Sequence, residues 1–190
     1  MLRHQCDGEV SMALLEVQNA PELNAIQSQS DLTDRSWVVG SVEDTAQYIQ
    51  ERLNQYAARK GAYFGMWFQD KIAGVCSLEY IDWVNHVTEV GVWIADQYQC
   101  KGLYGRAGKH LIEYVFEDLK LNKANLYVQE NNSRMRELLE ETLFTTEGVC
   151  RSWKYFNGQY HDYVLYGMLS SEWPKIKELT ASKNAQRRER

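Results

Sequence analysis

The run Tyr98-Gln99-Cys100-Lys101-Gly102-Leu103-Tyr104-Gly105 constrains this chain most, because of what stands on either side of it. Before it, Val90-Gly91-Val92-Trp93-Ile94 puts Val90, Val92 and Ile94 on one face of a strand by period-two alternation. After it, Leu103, Ala107, Leu111, Ile112, Val115, Phe116 and Leu119 recur in steps of three and four, the buried stripe of one helix. The local order is strand, loop, helix. A helix start leaves its first backbone N–H groups unpaired at the positive end of the macrodipole, so a loop that lets an anion approach makes a phosphate cradle. Gly102 and Gly105 permit the approach and Lys101 adds a cation. A plain turn explains the same residues, so the surroundings must decide between the two.

Two familiar nucleotide signatures are excluded. A P-loop needs a Gly-Lys-Ser/Thr ending, and a dinucleotide fold needs Gly-x-Gly-x-x-Gly with an acidic residue about 20 positions on. The loop instead resembles the pyrophosphate loop of the GNAT N-acetyltransferase superfamily, Gln/Arg-x-x-Gly-x-Gly/Ala. Gln99 and Gly102 match it, and Tyr104 stands where the last small residue is usual.

The resemblance runs along nearly the whole chain. Asn85 and Glu89-Val90-Gly91-Val92-Trp93-Ile94 resemble a block of the branch that holds the ribosomal-protein serine/alanine N-acetyltransferases. Leu119-x-Leu121-Asn122-Lys123-Ala124, Asn132 with Arg134, and Glu147-Gly148-Val149-Cys150-Arg151 follow the same branch. So do the residues from Asn157-Gly158 to Tyr166, then Leu169 and Trp173. The resemblance implies acetyl-CoA (coenzyme A) as cofactor and an amine as acceptor.

The organisation is that of one α+β domain over residues 1–174, followed by a basic tail at 175–190. A first strand is expected near 11–16 and a helix from Pro21, a residue suited to a first helical turn. Ser41-Val42-Glu43-Asp44 resembles a capping signal for a second helix carrying Ala46, Ile49, Leu53 and Tyr56. Strands are expected at 62–68 and 72–80 around a tight turn at Gln69-Asp70-Lys71, then one ending at Ile94. A strand at 124–129, a short helix at 133–141 and a final hairpin follow. Asn157-Gly158 marks that hairpin, since both central positions of a type I′ turn need positive φ. The expected architecture is a GNAT-type domain, a mixed, mostly antiparallel sheet of about seven strands with about four helices.

Composition narrows the surroundings. A chain of 190 residues with 44% apolar and 25% charged residues can bury a core of its own. No apolar run approaches the roughly 18 residues of a membrane span, and no basic-then-apolar leader opens the chain. Cys6, Cys76, Cys100 and Cys150 are widely spaced, which implies neither a zinc site nor a disulfide framework, and a reducing cytoplasm is expected. The net charge of −5 argues against general nucleic-acid binding. Lys175, Lys177, Lys183, Arg187, Arg188 and Arg190 depart from that balance, read as a solvated terminus in preference to an RNA-touching arm.

Acetyl transfer needs a neutral amine, a polarised thioester carbonyl and an outlet for the leaving thiolate. By resemblance, backbone groups of Val92, Trp93 and Ile94 pair with the pantetheine arm, and an N–H near Val92 faces the thioester oxygen. The backbone of Gln99, Cys100, Lys101, Gly102, Leu103, Tyr104 and Gly105 holds the pyrophosphate; Asn132 and Arg134 match contacts to the arm or the phosphates. Glu89 is the candidate base or amine holder; its alternative is a surface carboxylate paired with Lys or Arg. His86 is a second candidate near the acceptor, or an exposed turn residue. Trp37 and Trp153 are the first aromatic candidates for the acceptor wall. Cys100 beside a helix start invites an acyl-cysteine reading, but a backbone role is preferred.

The general acid is missing from its usual places, which hold Met135 and Leu139. Leu-Gly-Phe at the end of that helix is also replaced, by Thr142-Leu143-Phe144. The expected activity is direct acetyl transfer to a protein N-terminus or small amine. Polyamine acetylation and non-catalytic acyl-CoA binding are the alternatives, and the resemblance extends to homodimer formation.

Overall fold

A computed structural model describes residues 4–6, 8–30 and 40–178. The elements are β1 (His4–Gln5), β2 (Val10–Leu14), α1 (Ala20–Ser28), α2 (Val42–Ala57), β3 (Ala62–Phe68), β4 (Lys71–Asp82), β5 (Val87–Ile94), α3 (Leu103–Glu113), β6 (Lys123–Gln129), α4 (Ser133–Glu141), β7 (Thr145–Phe156) and β8 (Gln159–Leu169). All eight strands join one sheet in the order β1-β2-β3-β4-β5-β6-β8-β7, with β1 a two-residue addition at the edge. Only the β5–β6 pair is parallel. The remaining neighbours are antiparallel.

Alternation divides the sheet into two buried faces. Phe64, Met66, Cys76, Leu78, Val90 and Ile94 point to the side covered by α3 and α4, where they meet Leu103, Ala107, Leu111 and Leu139. Tyr63, Trp67, Ile72 and Val75 point to the other side, under Leu23 and Ile26 of α1 and Ile49 of α2. Removing such a side chain from water contributes about 1.5–3 kcal/mol, so the two layers hold the sheet from both sides. Helix α2 starts at the expected place: Ser41 Oγ accepts from Asp44 N–H at 3.1 Å, and Ser41 N–H donates to Asp44 Oδ2 at 2.9 Å.

Several details depart from expectation. The helix read as continuous to Leu119 widens into a π turn at Tyr114–Asp118. From that turn Glu117 accepts from Trp173 Nε1 at 2.7 Å and from Lys177 Nζ at 2.6 Å. Residues 173–178 are helical and bury Trp173 and Ile176 in the α3-side core, so the packed domain runs past position 174. The rest of the basic tail lies outside the described residues.

Two sharp turns use residues other than glycine. At the end of α4, Phe144 N–H bonds the Leu139 carbonyl at 2.9 Å and Leu143 N–H the Glu140 carbonyl at 3.2 Å, a Schellman stop. Leu143 therefore sits at φ +64, where glycine is the usual occupant. At Gln69 and Asp70 φ is +49 and +62, and at Asn157-Gly158 it is +51 and +80, as the hairpin turns require.

One close approach does demand glycine. Gly74 pairs with Ile94 across β4 and β5, and a Cβ at Gly74 would run into the Trp93 carbonyl. Gly74→Ala is expected to destabilise the protein by about 1–3 kcal/mol through overpacking. Leu143→Gly is expected to stabilise it by about 0.5–1 kcal/mol by relieving a left-handed residue. Denaturant unfolding of both variants reads the two signs directly, and an unchanged midpoint for Gly74→Ala would show that β4 and β5 can part without cost.

Candidate active site

The site begins where the sheet comes apart. β5 and β6 pair only at Val87 with Lys123, Thr88 with Ala124 and Glu89 with Asn125. Beyond Glu89 the two strands continue without pairing to each other, while β5 stays bonded to β4 and β6 to β8. The result is a wedge-shaped gap, edged on one side by the backbone of Val90, Gly91, Val92, Trp93 and Ile94. Val92 is half-buried against the α3-side core, Ile94 is buried there, and Trp93 packs on the α2 side.

The phosphate-loop residues stand at the wide end of that gap. After a short turn at Asp96–Tyr98, Gln99 is extended, Cys100 takes φ +63 and Gly102 takes φ +70. Gly102 is the N-cap of α3 and supplies no side-chain cap. The first bond of the helix runs from Arg106 N–H to the Gly102 carbonyl at 3.2 Å, so the N–H groups of Leu103, Tyr104 and Gly105 precede the ladder. An uncapped helix start with three such donors suits an anion. Around it, Gln99 Nε2 donates to Asp96 Oδ1 at 2.9 Å, and Lys101 Nζ lies 5.5 Å from the centre of the Phe68 ring.

Helix α4 closes the same end. Asn132 caps it, its Oδ1 accepting from Met135 N–H at 3.1 Å. Arg134 extends from the first turn and donates through Nη2 to Cys100 Sγ at 3.2 Å. Residues far apart in sequence, Cys100 and Arg134, are thus brought into contact. Tyr104 is half-buried in the α3-side core; burial raises its phenol pKa, and Arg134 opposes it. Met135 packs against this core and Leu139 is buried in it, so neither offers a proton.

At the narrow end lies Glu89, with Asn125 as its β6 neighbour. Its carboxylate has no hydrogen bond among the described residues. Burial raises its pKa, the nearby Glu79 carboxylate raises it further, and Lys154 of β7 pulls it down. Glu79 owes its place to a β-bulge. Leu78 pairs with Val90 and Tyr80 with Glu89, leaving Glu79 as the extra residue of β4. Thr88 Oγ1 donates to the Tyr80 carbonyl at 2.6 Å beside this bulge.

The acceptor candidates are placed unequally. Trp153 stacks on Tyr127 with ring centres 5.2 Å apart and planes 11° from parallel. Tyr127 in turn lies within the electrostatic reach of Glu89, so Trp153 belongs to the Glu89 side of the gap. His86 is exposed in the β4–β5 turn at φ +54, near the Asp82 carboxylate, and three positions before Glu89, about 10 Å along a strand. The structure does not bring it beside Glu89. Trp37 lies outside the described residues.

Sequence reading missed Glu79 and Arg52. Glu79 is hidden because a bulge breaks the alternation that assigns faces. Arg52 is an unremarkable polar helix position until α2 is laid on the sheet. Among the described residues no cluster of acidic, His or Cys side chains is arranged to hold a metal ion, and no helix is long and apolar enough to cross a membrane.

Known proteins share this arrangement. The family model for the acetyltransferase (GNAT) domain matches residues 12–145. A putative ribosomal N-acetyltransferase of Bacillus subtilis (strain 168), YdaF, is 32% identical over 86% of this chain and 93% of its own length. The crystal structure of a probable acetyltransferase superposes with a TM-score of 0.86 at 31% identity, over 91% of this chain and 99% of that one. The ribosomal L7/L12 alpha-N-protein acetyltransferase RimL in complex with coenzyme A has the same fold at 18% identity, with a TM-score of 0.83 over 88% of this chain and 98% of that one. The gap between β5 and β6, the uncapped start of α3 and the match over most of the chain agree, and the chain belongs to the GNAT acetyltransferase family.

Proposed function

We propose that the protein transfers the acetyl group of acetyl-CoA directly to a primary amine, in a ternary complex, with a protein N-terminus of the ribosomal type as acceptor. The observation that carries this reading is the continuous gap from the α3 start to Glu89. Among the described residues, its wide end offers unpaired N–H groups, its edge offers unpaired strand backbone, and its narrow end holds a half-buried carboxylate without a hydrogen bond.

The residues present fit coenzyme A. The N–H groups of Leu103, Tyr104 and Gly105 suit a pyrophosphate, and the open edge of β5 at Val92, Trp93 and Ile94 suits an amide-bearing arm. Gln99, Cys100, Lys101 and Gly102 shape the loop, with Arg134 and Asn132 supporting it from α4. When bound, acetyl-CoA supplies an activated thioester carbonyl.

Glu89 accepts the proton that the acceptor ammonium must lose, and a backbone N–H near Val92 faces the developing oxyanion. With acetyl-CoA bound, the new N–C bond would form as the C–S bond breaks, the thiolate leaving and taking up through water the second proton that the acylated nitrogen sheds. A raised pKa suits Glu89 to this role, because its conjugate acid is then closer in strength to the amine's. Only the ionised form is a base. Activity therefore falls as pH drops through that raised pKa, at higher pH than for an ordinary glutamate.

A small polyamine as acceptor is the second reading, favoured by Glu79 standing beside Glu89. A cytoplasmic location and a homodimer fit the ribosomal reading.

Free thiol released from acetyl-CoA is the readout for function. Peptides with Ser or Ala N-termini are expected to accelerate its release, and spermidine as the better acceptor would favour the second reading. Tight acetyl-CoA binding with no acceptor-dependent thiol would leave a binding module and sink both.

Glu89→Gln is expected to lower kcat by about 100- to 10,000-fold with acetyl-CoA affinity retained. Gly102→Asp sets an anion at the cradle. Aspartate tolerates positive φ, so the fold should survive while affinity drops about 10- to 100-fold. Calorimetric titration of acetyl-CoA checks both, and unchanged affinity in Gly102→Asp would remove the loop from the cofactor site.

A further inference from the structure

Beneath the narrow end of the gap lies a polar network that the reading of Glu89 does not use. Arg52 of α2 places Nη1 3.7 Å from Glu79 Oε2, with both side chains largely shielded from solvent. Ser77 Oγ donates to the other oxygen, Glu79 Oε1, at 2.7 Å. The Arg52 guanidinium lies 4.8 Å from the Tyr48 ring centre and 4.7 Å from that of Tyr63. Those two rings meet edge to face, and Tyr48 donates to the Tyr63 hydroxyl at 2.5 Å. Arg52 Nη1 also donates to Gln55 Oε1 at 2.9 Å.

This arrangement is costly if it does nothing. An arginine and a carboxylate taken from water lose hydration that the 3.7 Å contact and the neighbouring hydrogen bonds must replace, and apolar residues fill such a space as well or better. The bulge adds a second cost, since the extra residue interrupts the ladder. Both features converge on one outcome: a carboxylate fixed beside Glu89.

We propose that Glu79 and Arg52 are positioning residues for the acetyl transfer, acting through Glu89, with Arg52 fixing the Glu79 carboxylate at the bulge next to the Tyr80–Glu89 pair. This rests on Glu89 being the base. Like charges close together disfavour ionising both, so Glu79 strengthens the hold of Glu89 on a proton. Arg52 limits that effect by neutralising part of the Glu79 charge. The other charged or titratable groups around the pair are Tyr80 on β4, Tyr63 on β3, Tyr48 on α2, Tyr127 on β6 and Lys154 on β7. Burial raises the pKa values of Tyr48, Tyr63 and Tyr127, keeping these phenols neutral near pH 7, so Arg52 and Lys154 are the cations that balance the two carboxylates.

The test is the pH dependence of kcat/KM with one fixed peptide acceptor, which keeps the acceptor's own titration constant across variants. Glu79→Gln keeps the shape and a hydrogen-bond acceptor for Ser77 but removes the charge. It is expected to move the acid limb down by about one pH unit. Arg52→Gln is expected to move the limb up by a similar amount, Arg52→Lys to leave it near the wild-type position, and the Arg52→Gln/Glu79→Gln double variant to return it below wild type. Glu89→Gln is expected to abolish this limb and leave only the acceptor amine's own titration, near pH 8.

The outcomes separate the two claims. A limb below the amine's own that survives in Glu89→Gln overturns the assignment of the base. A limb lost in Glu89→Gln but unmoved in Glu79→Gln and Arg52→Gln leaves the base in place and overturns the positioning pair. Lower kcat with an unshifted profile would reduce the network to a structural support, and also overturns it.

Discussion

Everything in this fold depends on a sheet that stays together while two central neighbours separate. Backbone N–H and C=O groups buried in a sheet must be paired, and an interior strand that loses its neighbour exposes a row of them. β5 survives the loss on its β6 side because β4 holds it along its full length, with Gly74 letting the two backbones approach. β6 is held likewise by β8 from Lys123–Leu169 to Gln129–Tyr163. The three parallel pairs at Val87, Thr88 and Glu89 are the hinge of the wedge. The unpaired edge beyond them is a template for a ligand that carries its own amides.

The two buried faces then acquire different work. On the α3 side, the apolar stripe fixes the helix whose uncapped start faces the wide end of the gap, and α4 brings Arg134 onto the same loop. On the α2 side, the burial of Ile49 and Tyr63 sets α2 across the sheet at the height where Arg52 reaches the β4 bulge. Under the proposed reading, a cofactor entering the wedge from one end and an amine entering from the other would meet at Glu89. The geometry of transfer thus follows from which residue of each strand points up or down, and from where the alternation is interrupted.

Those interruptions mark the limit of what the sequence disclosed. The strand at 62–68 and the helix at 133–141 were legible to the residue, since period two and period 3.6 leave strong marks there. The loop between β5 and α3 was legible through Gln99, Gly102 and the stripe after them. Positive φ at Cys100 and Leu143 was not, because neither residue advertises it. The bulge at Glu79 left no mark either: Leu78-Glu79-Tyr80 reads as ordinary alternation, and only pairing with Val90 and Glu89 reveals the extra residue. The widening of α3 at Tyr114–Asp118 was hidden by an apolar stripe that continues across it.

The absence of hydroxyls at Met135 and Leu139 gains a physical meaning in this setting. A thiolate is a good leaving group because a thiol has a pKa near 8.5, within reach of water at neutral pH, so losing a dedicated acid costs little. The amine is the harder problem. An α-amino group with a pKa near 8 is largely protonated at neutral pH, and removing that proton is obligatory before attack. A site under this chemistry concentrates its buried charge around the base. That is the distribution here: Glu89, Glu79, Arg52 and Lys154 lie around the narrow end of the gap, while Met135 and Leu139 are spent on the α3-side core. Under the proposed reading, losing the usual acid positions while building a network under Glu89 is therefore one consistent allocation of polar groups, made to the proton that must leave before attack.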